Sequence, residues 1–358
     1  MRKQLELLGN VRLNKNEILF NHFNYTCKQY KPLKNKEVNA AAFLSLNTPK
    51  QLCVFFNQPF TKLVKLINSP EYKVFSIPKK KGGSRLIEAP CDDLKLIQTQ
   101  INSYLQSYYT IFKPKNIHGF VLNTNQVKAN IFENAKLHTN KKYVLNIDLE
   151  DFFDTISTKR IYNLLSSELF DFNQDIAKAL TFLCTYEGKL PTGAPSSPIL
   201  SNLICLELDH YLLKFCEGNK ITYSRYADDI TFSSDEEFNK NLIQELKEII
   251  ESFNFKINSK KTRLKSSNRK QTVTGLIVNN KVNIDRKKLK IIRAIIHDCK
   301  VNGLEKGFQK HYKLIDNPSK KEIIKFRQKI SGYLNFIKQV NGENRVYKKL
   351  KADFESLL

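Results

Sequence analysis

The sequence lacks the features that mark secreted, zinc-binding and membrane proteins. It has no tryptophan and one methionine, and its seven cysteines contain no CxxC pair. This odd, scattered set predicts reduced thiols, not a disulfide framework or a zinc site. The first residues lack the apolar core of a signal peptide, and no apolar run approaches the roughly 18 residues of a membrane span. We therefore expect a cytoplasmic protein without a membrane partner.

Acidic residues are scarce relative to basic ones. The 358 residues include 59 Lys and Arg against 35 Asp and Glu, for a formal net charge of +24. Half of this surplus falls in residues 256–300, where 14 basic residues accompany 2 acidic ones. A charge run is commonly just a solvated surface, but an excess of this size favours a polyanionic partner, and nucleic acid is the commonest.

The chain is long enough for two or three packed subdomains. Two β-rich arms, Val74–Ile77 and Arg85–Ile87, flank a Gly-Gly pair at 82–83 and predict a hairpin. A helix is predicted from Asp92 to Tyr109.

The middle of the chain predicts an α+β unit. The apolar run Tyr143–Asp148 predicts one strand, and Ile221–Ser233 predicts two strands joined by a tight turn. Helical spacing over 197–216 predicts a helix capped by Ser197, and Ser234–Glu237 has the pattern of a capping box that opens another helix. This order of elements predicts a unit built on an antiparallel sheet.

Three carboxylates are the strongest candidates for chemistry. Asp148 ends its strand, and Asp228 and Asp229 occupy the turn of the YADD hairpin, so one sheet edge can bring the three together. Hard cations such as Mg²⁺ prefer oxygen ligands, and two of them assist in-line displacement at phosphorus. The alternative is an ordinary polar turn, which two adjacent like charges disfavour in the absence of a metal.

Several segments resemble, in order and spacing, the motifs of reverse transcriptases. They are NIDLEDFFD (146–154), LPTGAPSSP (190–198), YADD (226–229) and NFKINSKKT (254–262), with IPKKKGGSRLIEAP (77–90) similar to the fingers hairpin of that family. The resemblance covers roughly residues 72–280. It implies an α+β right-hand polymerase with fingers, an antiparallel palm and a helical thumb. The implied activity is RNA-directed DNA synthesis from dNTPs, with Asp148, Asp228 and Asp229 as ligands of two Mg²⁺ ions, for which Mn²⁺ could substitute.

The resemblance also implies a set of nucleotide-binding residues. Arg85 and one or more of Lys79, Lys80 and Lys81 correspond to the cations that hold the triphosphate, and Lys261, or else Lys260, to a cation near the pyrophosphate. Phe153 matches an aromatic gate against the ribose 2′-hydroxyl, although core packing is an alternative. Thr192 stands where the family usually has Gln. The implied nucleotide-binding set is Lys80, Arg85, Asp151, Phe152, Phe153, Thr192, Gly193 and Lys261.

Three further segments narrow the resemblance to the bacterial retron type. NAKLH (134–138) is similar to the NAxxH element of these enzymes, Val273-Thr274-Gly275 to their VTG triplet, and HGFV (118–121) is retron- and intron-like. His138 is equally explained as a core or capping histidine. The implied RNA-binding set is Asn134, His138, Val273, Thr274, Gly275, Arg286, Lys287 and Lys288.

A retron-type enzyme would copy a structured noncoding RNA, which serves as template and primer, into single-stranded DNA that stays linked to it. An effector (toxin) protein and a role in anti-phage defence are implied as well. Two alternatives stay open: an intron-like or other bacterial defence reverse transcriptase acting on a different RNA, and a non-catalytic RNA-binding module, which the intact YADD disfavours.

The resemblance also divides the chain into regions. We expect a helical N-terminal region at 1–70, fingers at 71–142, a palm at 143–280 and a helical, RNA-binding thumb at 281–358. The last region has room for a thumb alone, so no RNase H, integrase or endonuclease domain is expected.

Overall fold

The computed structural model describes residues 15–16, 35–79, 82–123, 128–312 and 318–357. Its contacts divide the chain into two compact units. The first unit contains the described residues of Met1–Ala129, Leu145–Phe232 and Phe238–Arg263. The second contains those of Asn130–Val144, Ser233–Glu237 and Leu264–Leu358.

The described residues of the first unit form many helices. They are α1 (Asn35–Leu44), α2 (Pro49–Phe56), α3 (Phe60–Asn68), α4 (Asp92–Phe112), α6 (Thr158–Leu165), α7 (Gln174–Cys184), α8 (Ser197–Ile204), α9 (Leu206–Gly218) and α10 (Lys240–Ser252). Local sequence explains many of their starts. Thr48 and Gln51 form a capping box at α2, and Pro49 occupies its first turn, where a missing N–H has no cost.

A two-stranded hairpin, β1 (Tyr72–Pro78) with β2 (Ser84–Pro90), precedes α4. Its antiparallel register pairs Ile77 with Arg85, and both glycines of the turn have positive φ, 91° at Gly82 and 80° at Gly83. The predicted hairpin and the following helix are therefore present, with longer arms than the sequence pattern indicated.

A five-stranded sheet presents the candidate catalytic residues. Its strands are β3 (Tyr143–Glu150), β4 (Thr222–Tyr226), β5 (Asp229–Ser234), β6 (Lys256–Ile257) and β7 (Arg263–Ser266). The order is β4-β5-β3-β6, and β7 also pairs with β3. Apolar residues of β3 and β5, including Ile147, Leu149 and Phe232, are almost fully buried. The predicted antiparallel arrangement holds where β3 meets β6.

Two helix starts predicted from the sequence are wrong. Ser197 is the first helical residue of α8 and not its cap, because its hydroxyl donates to the carbonyl of Pro191 at 2.7 Å. The segment 197–216 also forms two helices, α8 and α9, that meet at Cys205. Ser234 does not open α10, since it is still the last residue of β5; Asn239 caps that helix and accepts from the backbone N–H of Leu242 at 2.8 Å.

The second unit has a helical core of its own. Its further elements are α5 (Ile131–Lys136), the hairpin β8 (Thr272–Val273) with β9 (Leu276–Ile277), and α11 (Arg286–Asn302), α12 (Leu304–Tyr312), α13 (Lys320–Asn341) and α14 (Arg345–Glu355). Buried apolar side chains from α5, both hairpin strands and α11 to α14 form one cluster. None of the helices in the described part of the chain has the length and apolar character needed to cross a bilayer.

The described cysteines are unpaired, as the scattered pattern predicted. Cys184, Cys205, Cys216 and Cys299 are buried, whereas Cys53 and Cys91 are partly exposed. Burial raises the pKa of the Cys184 and Cys205 thiols to about 12.

Candidate active site

The three carboxylates predicted to be catalytic lie at one edge of the sheet. Asp148 is near the end of β3, Asp228 lies in the tight turn between β4 and β5, and Asp229 is the first residue of β5. The backbone N–H of Leu149 donates to the carbonyl of Asp228 at 3.0 Å. This bond fixes the turn against the strand that contributes the third carboxylate.

Burial and mutual repulsion disfavour the charged forms of the Asp228 and Asp229 carboxyl groups. Desolvation raises the pKa of the Asp228 carboxyl, and repulsion from Asp148 adds to the shift, while Lys261 and Arg85 partly offset it. Asp229 reaches solvent at the tip, but desolvation by the surrounding protein, followed by repulsion from Asp228 and Asp148, raises its pKa to about 6. A multivalent cation would relieve both effects.

Lys261 is the basic residue that forms an ion pair with a carboxylate at this edge. Its Nζ lies 2.9 Å from Asp148 Oδ1 and 2.8 Å from Asp148 Oδ2, and this hydrogen bond raises the pKa of the lysine. The backbone positions it: Asn258 N–H donates to the carbonyl of Asp148, and Lys261 N–H donates to that of Asn258. Of the two lysines that the sequence left open, Lys261 rather than Lys260 makes this ion pair.

The residues present suit a hard divalent cation in kind. They offer carboxylate oxygens, the donor set that Mg²⁺ prefers, and Asp148 lies close enough to raise the pKa values of Asp228 and Asp229. Within the described ranges, however, no group of three or more His, Cys, Asp or Glu side chains is already arranged to hold a metal ion. In this conformation the carboxylate of Asp148 is engaged by the ammonium of Lys261.

Next to the carboxylates, the segment 151–153 turns sharply and presents two aromatic rings. Asp151 has a positive φ of 46°. Phe152 is buried and stacked on Phe255 at a centroid distance of 5.7 Å, so packing is its main observed role. Phe153 is half-buried, and its ring lies 6.0 Å from that of Phe120. Phe153 is thus supported from behind while part of it remains accessible.

The loop at 190–194 is bound to the hairpin strand β2 through Glu88. The Glu88 N–H donates to the carbonyl of Thr192 at 2.7 Å, and the Thr192 N–H donates to Glu88 Oε2 at 3.1 Å. Lys189 bridges the buried Glu88 carboxylate and Asp154.

Gly193 of the same loop lies close to β2. It has a φ of 129°, and a Cβ there would lie 2.9 Å from Ile87 Cγ2, so this close approach requires glycine.

Of the two remaining predicted phosphate-binding residues, the structure describes only Arg85, which lies on the same hairpin. Arg85 is an exposed residue of β2, near enough to Asp228 to lower its pKa. Lys80 lies outside the described residues, as does Lys81.

The residues predicted to bind RNA lie in the second unit, in two different settings. Asn134, His138 and Val273 are buried, with exposed fractions of 1%, 0% and 0%. The ring Nδ1 of His138 lies 2.7 Å from the hydroxyl of Ser233. These side chains pack inside the unit in this conformation, which accords with the core-histidine alternative for His138.

Thr274 and Gly275 of the VTG triplet form the turn of the β8–β9 hairpin, and Thr274 contacts α5, which contains the first three residues of NAKLH. Thr274 and Gly275 have φ values of 47° and 80°. Such a φ is rare for a β-branched residue. The Thr274 hydroxyl donates to the carbonyl of Ile131, at the start of α5, at 3.2 Å. The two retron-like elements are therefore brought together by the fold.

Three cations occupy the first turn of α11. Arg286, Lys287 and Lys288 are exposed, and Lys288 Nζ lies 3.9 Å above the ring of Phe336. Positive side chains are unfavourable at this end of a helix, where the dipole is positive.

Comparison with known proteins gives the chain its family. A family profile described as "Reverse transcriptase (RNA-dependent DNA polymerase)" matches residues 77–326. The retron Ec86 reverse transcriptase of Escherichia coli is 33% identical over 270 residues, covering 72% of this chain and 81% of that protein. The chain belongs to the retron-type reverse transcriptases.

A second retron relative and a solved structure are also similar to this chain. The retron Ec83 reverse transcriptase of Escherichia coli is 32% identical over 259 residues, covering 68% of this chain and 81% of that protein. Among solved structures, a telomerase from Candida albicans in complex with a fragment of telomeric RNA matches with a TM-score of 0.41 at 12% identity, covering 82% of this chain and 64% of that one. A score this low adds nothing to the assignment.

Membership confirms the predicted family, the α+β right-hand polymerase fold and the activity. This reverse transcriptase is an RNA-directed DNA polymerase that binds an RNA template, and its family is generally dependent on divalent metal ions. The domain boundaries at residues 70, 142 and 280 stay predictions, as do the roles of the individual site residues.

Some residues that shape this site were not singled out from the sequence. Phe120 appeared only within the HGFV segment, and Glu88 only within the hairpin segment, so neither was expected to support the nucleotide site. Both act through contacts with segments far away in the chain, which no local pattern records.

Proposed function

We propose that this retron-type reverse transcriptase uses Asp148, Asp228 and Asp229 to hold two Mg²⁺ ions, with Mn²⁺ as a substitute. The observation that supports this most is the meeting of the three carboxylates at one sheet edge with raised pKa values at Asp228 and Asp229. When bound, the ions would activate the attacking hydroxyl and neutralise the leaving pyrophosphate.

In this proposal Lys261 has two positions. In one, its Nζ lies 2.8 Å from Asp148 Oδ2 and neutralises that carboxylate. In the other, with Asp148 holding a metal, the ammonium would contact the leaving pyrophosphate. The lysine side chain is 58% exposed, so it has room to make this change.

The incoming dNTP is bound by residues from three segments. Arg85 and Lys80 hold the β- and γ-phosphates, because a guanidinium fork binds phosphate oxygens in pairs. The backbone amides of Asp151 and Phe152 approach the triphosphate, and the Thr192–Gly193 loop approaches the sugar. Phe153, supported by Phe120, excludes a ribose 2′-hydroxyl.

The RNA is held by the second unit. Arg286, Lys287 and Lys288 place three charges at an end of α11 that disfavours them, and a phosphate backbone would compensate for this. Asn134, His138, Val273, Thr274 and Gly275 form the adjoining NAKLH–VTG element, which we assign to the RNA-binding region. Changing all three cations to alanine should weaken RNA binding. It should also reduce the slope of log K for RNA binding against log salt concentration by about 2, because each phosphate contact contributes about 0.7 to 0.9 to that slope.

We further propose that the product is single-stranded DNA linked to its structured noncoding RNA template. Synthesis would begin on a ribose 2′-hydroxyl of that RNA, and a partner effector (toxin) protein would connect the product to anti-phage defence. This assignment is supported by the similarity to named retron reverse transcriptases.

Two experiments test the proposal. Asp228→Asn should abolish Mg²⁺-dependent DNA synthesis and leave RNA binding intact, because it removes the charge and keeps the shape. Asp171→Asn is a matched control, since Asp171 is exposed and asparagine tolerates its φ of 53°. Extension by Asp228→Asn within about tenfold of wild type would contradict the metal assignment.

The second experiment omits any primer. Purified protein, its cognate RNA and dNTPs should give a branched RNA–DNA species that releases free DNA after treatment with a debranching enzyme. An unlinked 5′ end, or an ordinary 3′–5′ joint, would favour the other candidate, an intron-like or other bacterial defence enzyme that acts on a different RNA.

A further inference from the structure

A polar network is buried behind the catalytic turn. It joins Asn202 of α8, Asp209 of α9, and Tyr223 and Arg225 of β4, with exposed fractions of 0%, 0%, 1% and 0%. Arg225 Nε and Nη2 donate to the two Asp209 oxygens at 2.8 and 2.6 Å. The Tyr223 hydroxyl donates to the same carboxylate at 2.6 Å.

This ion pair is poorly explained by stability alone. Removing two charges from water costs several kcal/mol per ion, and apolar replacements of similar volume are often neutral or stabilising. A charged pair retained in such a place calls for a geometric role. Arg225 has one, because its remaining nitrogen, Nη1, donates to Asn202 Oδ1 at 3.0 Å and to the carbonyl of Ala227 at 3.0 Å.

The carbonyl that Arg225 binds belongs to the residue that sets the catalytic turn. Ala227 directly precedes Asp228 and has a φ of 58°, a conformation that costs a non-glycine residue about 1 kcal/mol or more. Strain of this kind persists only where surrounding contacts hold it. The hydrogen bond from the guanidinium is such a contact.

The same guanidinium is connected to the aromatic side of the site. Asn202, oriented by Arg225, donates through Nδ2 to the carbonyls of Gly119 at 2.9 Å and Phe120 at 3.3 Å. Phe120 in turn lies against Phe153. One buried group therefore contacts both the carboxylate turn and the segment behind the proposed sugar gate.

We propose that Arg225 is a positioning residue for polymerisation. Asp209 and Asn202 fix the plane of its guanidinium, and the guanidinium holds the carbonyl of Ala227 so that the carboxylates of Asp228 and Asp229 point to one place. The inference rests on the proposed metal role of those two carboxylates.

Arg225→Lys is the informative change. Lysine keeps the charge that neutralises Asp209, but its single nitrogen cannot reproduce a planar fork with four donated bonds. We expect kcat to fall by about tenfold to a hundredfold, which is the loss expected when a catalytic group is displaced by about 1 Å. The Mg²⁺ concentration for half-maximal rate should rise severalfold, with the affinity for primed RNA unchanged.

Two companion variants separate positioning from folding. Tyr223→Phe removes a bond to Asp209 but none of the bonds of Arg225, so it should lower the melting temperature without changing the Mg²⁺ dependence. Asn202→Ala keeps the Arg225–Asp209 pair and should shift the Mg²⁺ dependence in the same direction as Arg225→Lys. It decides the question if the lysine variant fails to fold.

All rates are measured on the full chain with a primed RNA template, well below each variant's melting temperature. If Arg225→Lys and Asn202→Ala keep the wild-type kcat and Mg²⁺ dependence while Asp228→Asn is inactive, the positioning role is refuted and the metal proposal stands. If Asp228→Asn is itself active, the metal proposal fails, and this inference fails with it.

Discussion

Gly119 lies directly against the backbone of the catalytic turn. A Cβ added at Gly119 would lie 2.2 Å from the backbone nitrogen of Ala227 and 2.8 Å from the carbonyl carbon of Tyr226. Both are main-chain atoms, so no side chain can rotate away to relieve the overlap. Gly119→Ala must therefore move backbone.

The size of the movement follows from the distances. Ordinary van der Waals contact begins near 3.4 Å, so the 2.2 Å approach requires the turn and the 118–120 segment to separate by more than 1 Å. The two are also joined by the hydrogen bond from His118 N–H to the carbonyl of Arg225 at 3.1 Å, which would be stretched. A misplacement of about 1 Å in a catalytic group costs about a hundredfold in rate, and we expect that loss in kcat.

The assay is single-turnover extension of a primed RNA template at saturating dNTP, together with a melting curve. Gly218→Ala is the matched control, because Gly218 ends α9, has no atom within 4 Å of an added Cβ, and should not lose activity. A Gly119→Ala enzyme that is folded and retains kcat within about threefold of wild type would refute the argument that the turn must stay where it is.

Three further predictions concern the nucleotide and the carboxylates. Phe153→Val should raise the ribonucleotide-to-deoxyribonucleotide ratio of kcat/KM by about tenfold, since it removes the proposed steric gate; an unchanged ratio would leave Phe153 with a packing role. Arg85→Ala should raise the KM for dNTP about tenfold through a lost charged hydrogen bond, and loss of RNA binding at constant KM would place Arg85 on the template instead. Because the pKa of Asp229 is raised from 3.8 to about 6, its ionisation lowers the stability of the metal-free fold as pH rises through that window. Asp229→Asn should therefore raise the melting temperature of the metal-free protein at pH 7.5 and reduce its stabilisation by Mg²⁺, whereas a lower melting temperature at that pH would contradict the sign.

The sequence was sufficient where the signal is local. The hairpin around the paired glycines, the β3 run that leads to Asp148 and the YADD turn all appear where periodicity and turn chemistry placed them. Membership of the family then confirmed the activity. Such features depend on residues within a few positions of one another, so a single chain records them.

The sequence-based predictions failed where contacts between segments far apart in the chain determine the local structure. Ser197 and Ser234 are good capping residues. However, the Ser197 hydroxyl donates to the carbonyl of Pro191, and Ser234 belongs to β5. The network of Arg225 joins residues from three elements, and no spacing rule indicates that an arginine beside YADD would be wholly buried. Asn134 and His138, polar residues read as RNA contacts, are likewise inside the second unit, and their contact with RNA stays a prediction.

The distribution of thiols has a practical consequence for watching this enzyme at work. Among the described cysteines, burial protects Cys184, Cys205, Cys216 and Cys299 from a maleimide dye, and Cys53 and Cys91 are the accessible ones. Cys91 directly follows β2, occupies the N-cap position of α4, and donates its backbone N–H to the carbonyl of Glu71, which precedes β1. A fluorophore there, in a background with Cys53→Ser and with Cys27→Ser, because Cys27 lies outside the described residues, would sit at the base of the hairpin that contains Arg85. The native chain thus supplies its own attachment point for recording, in real time, how the hairpin responds to each incoming nucleotide.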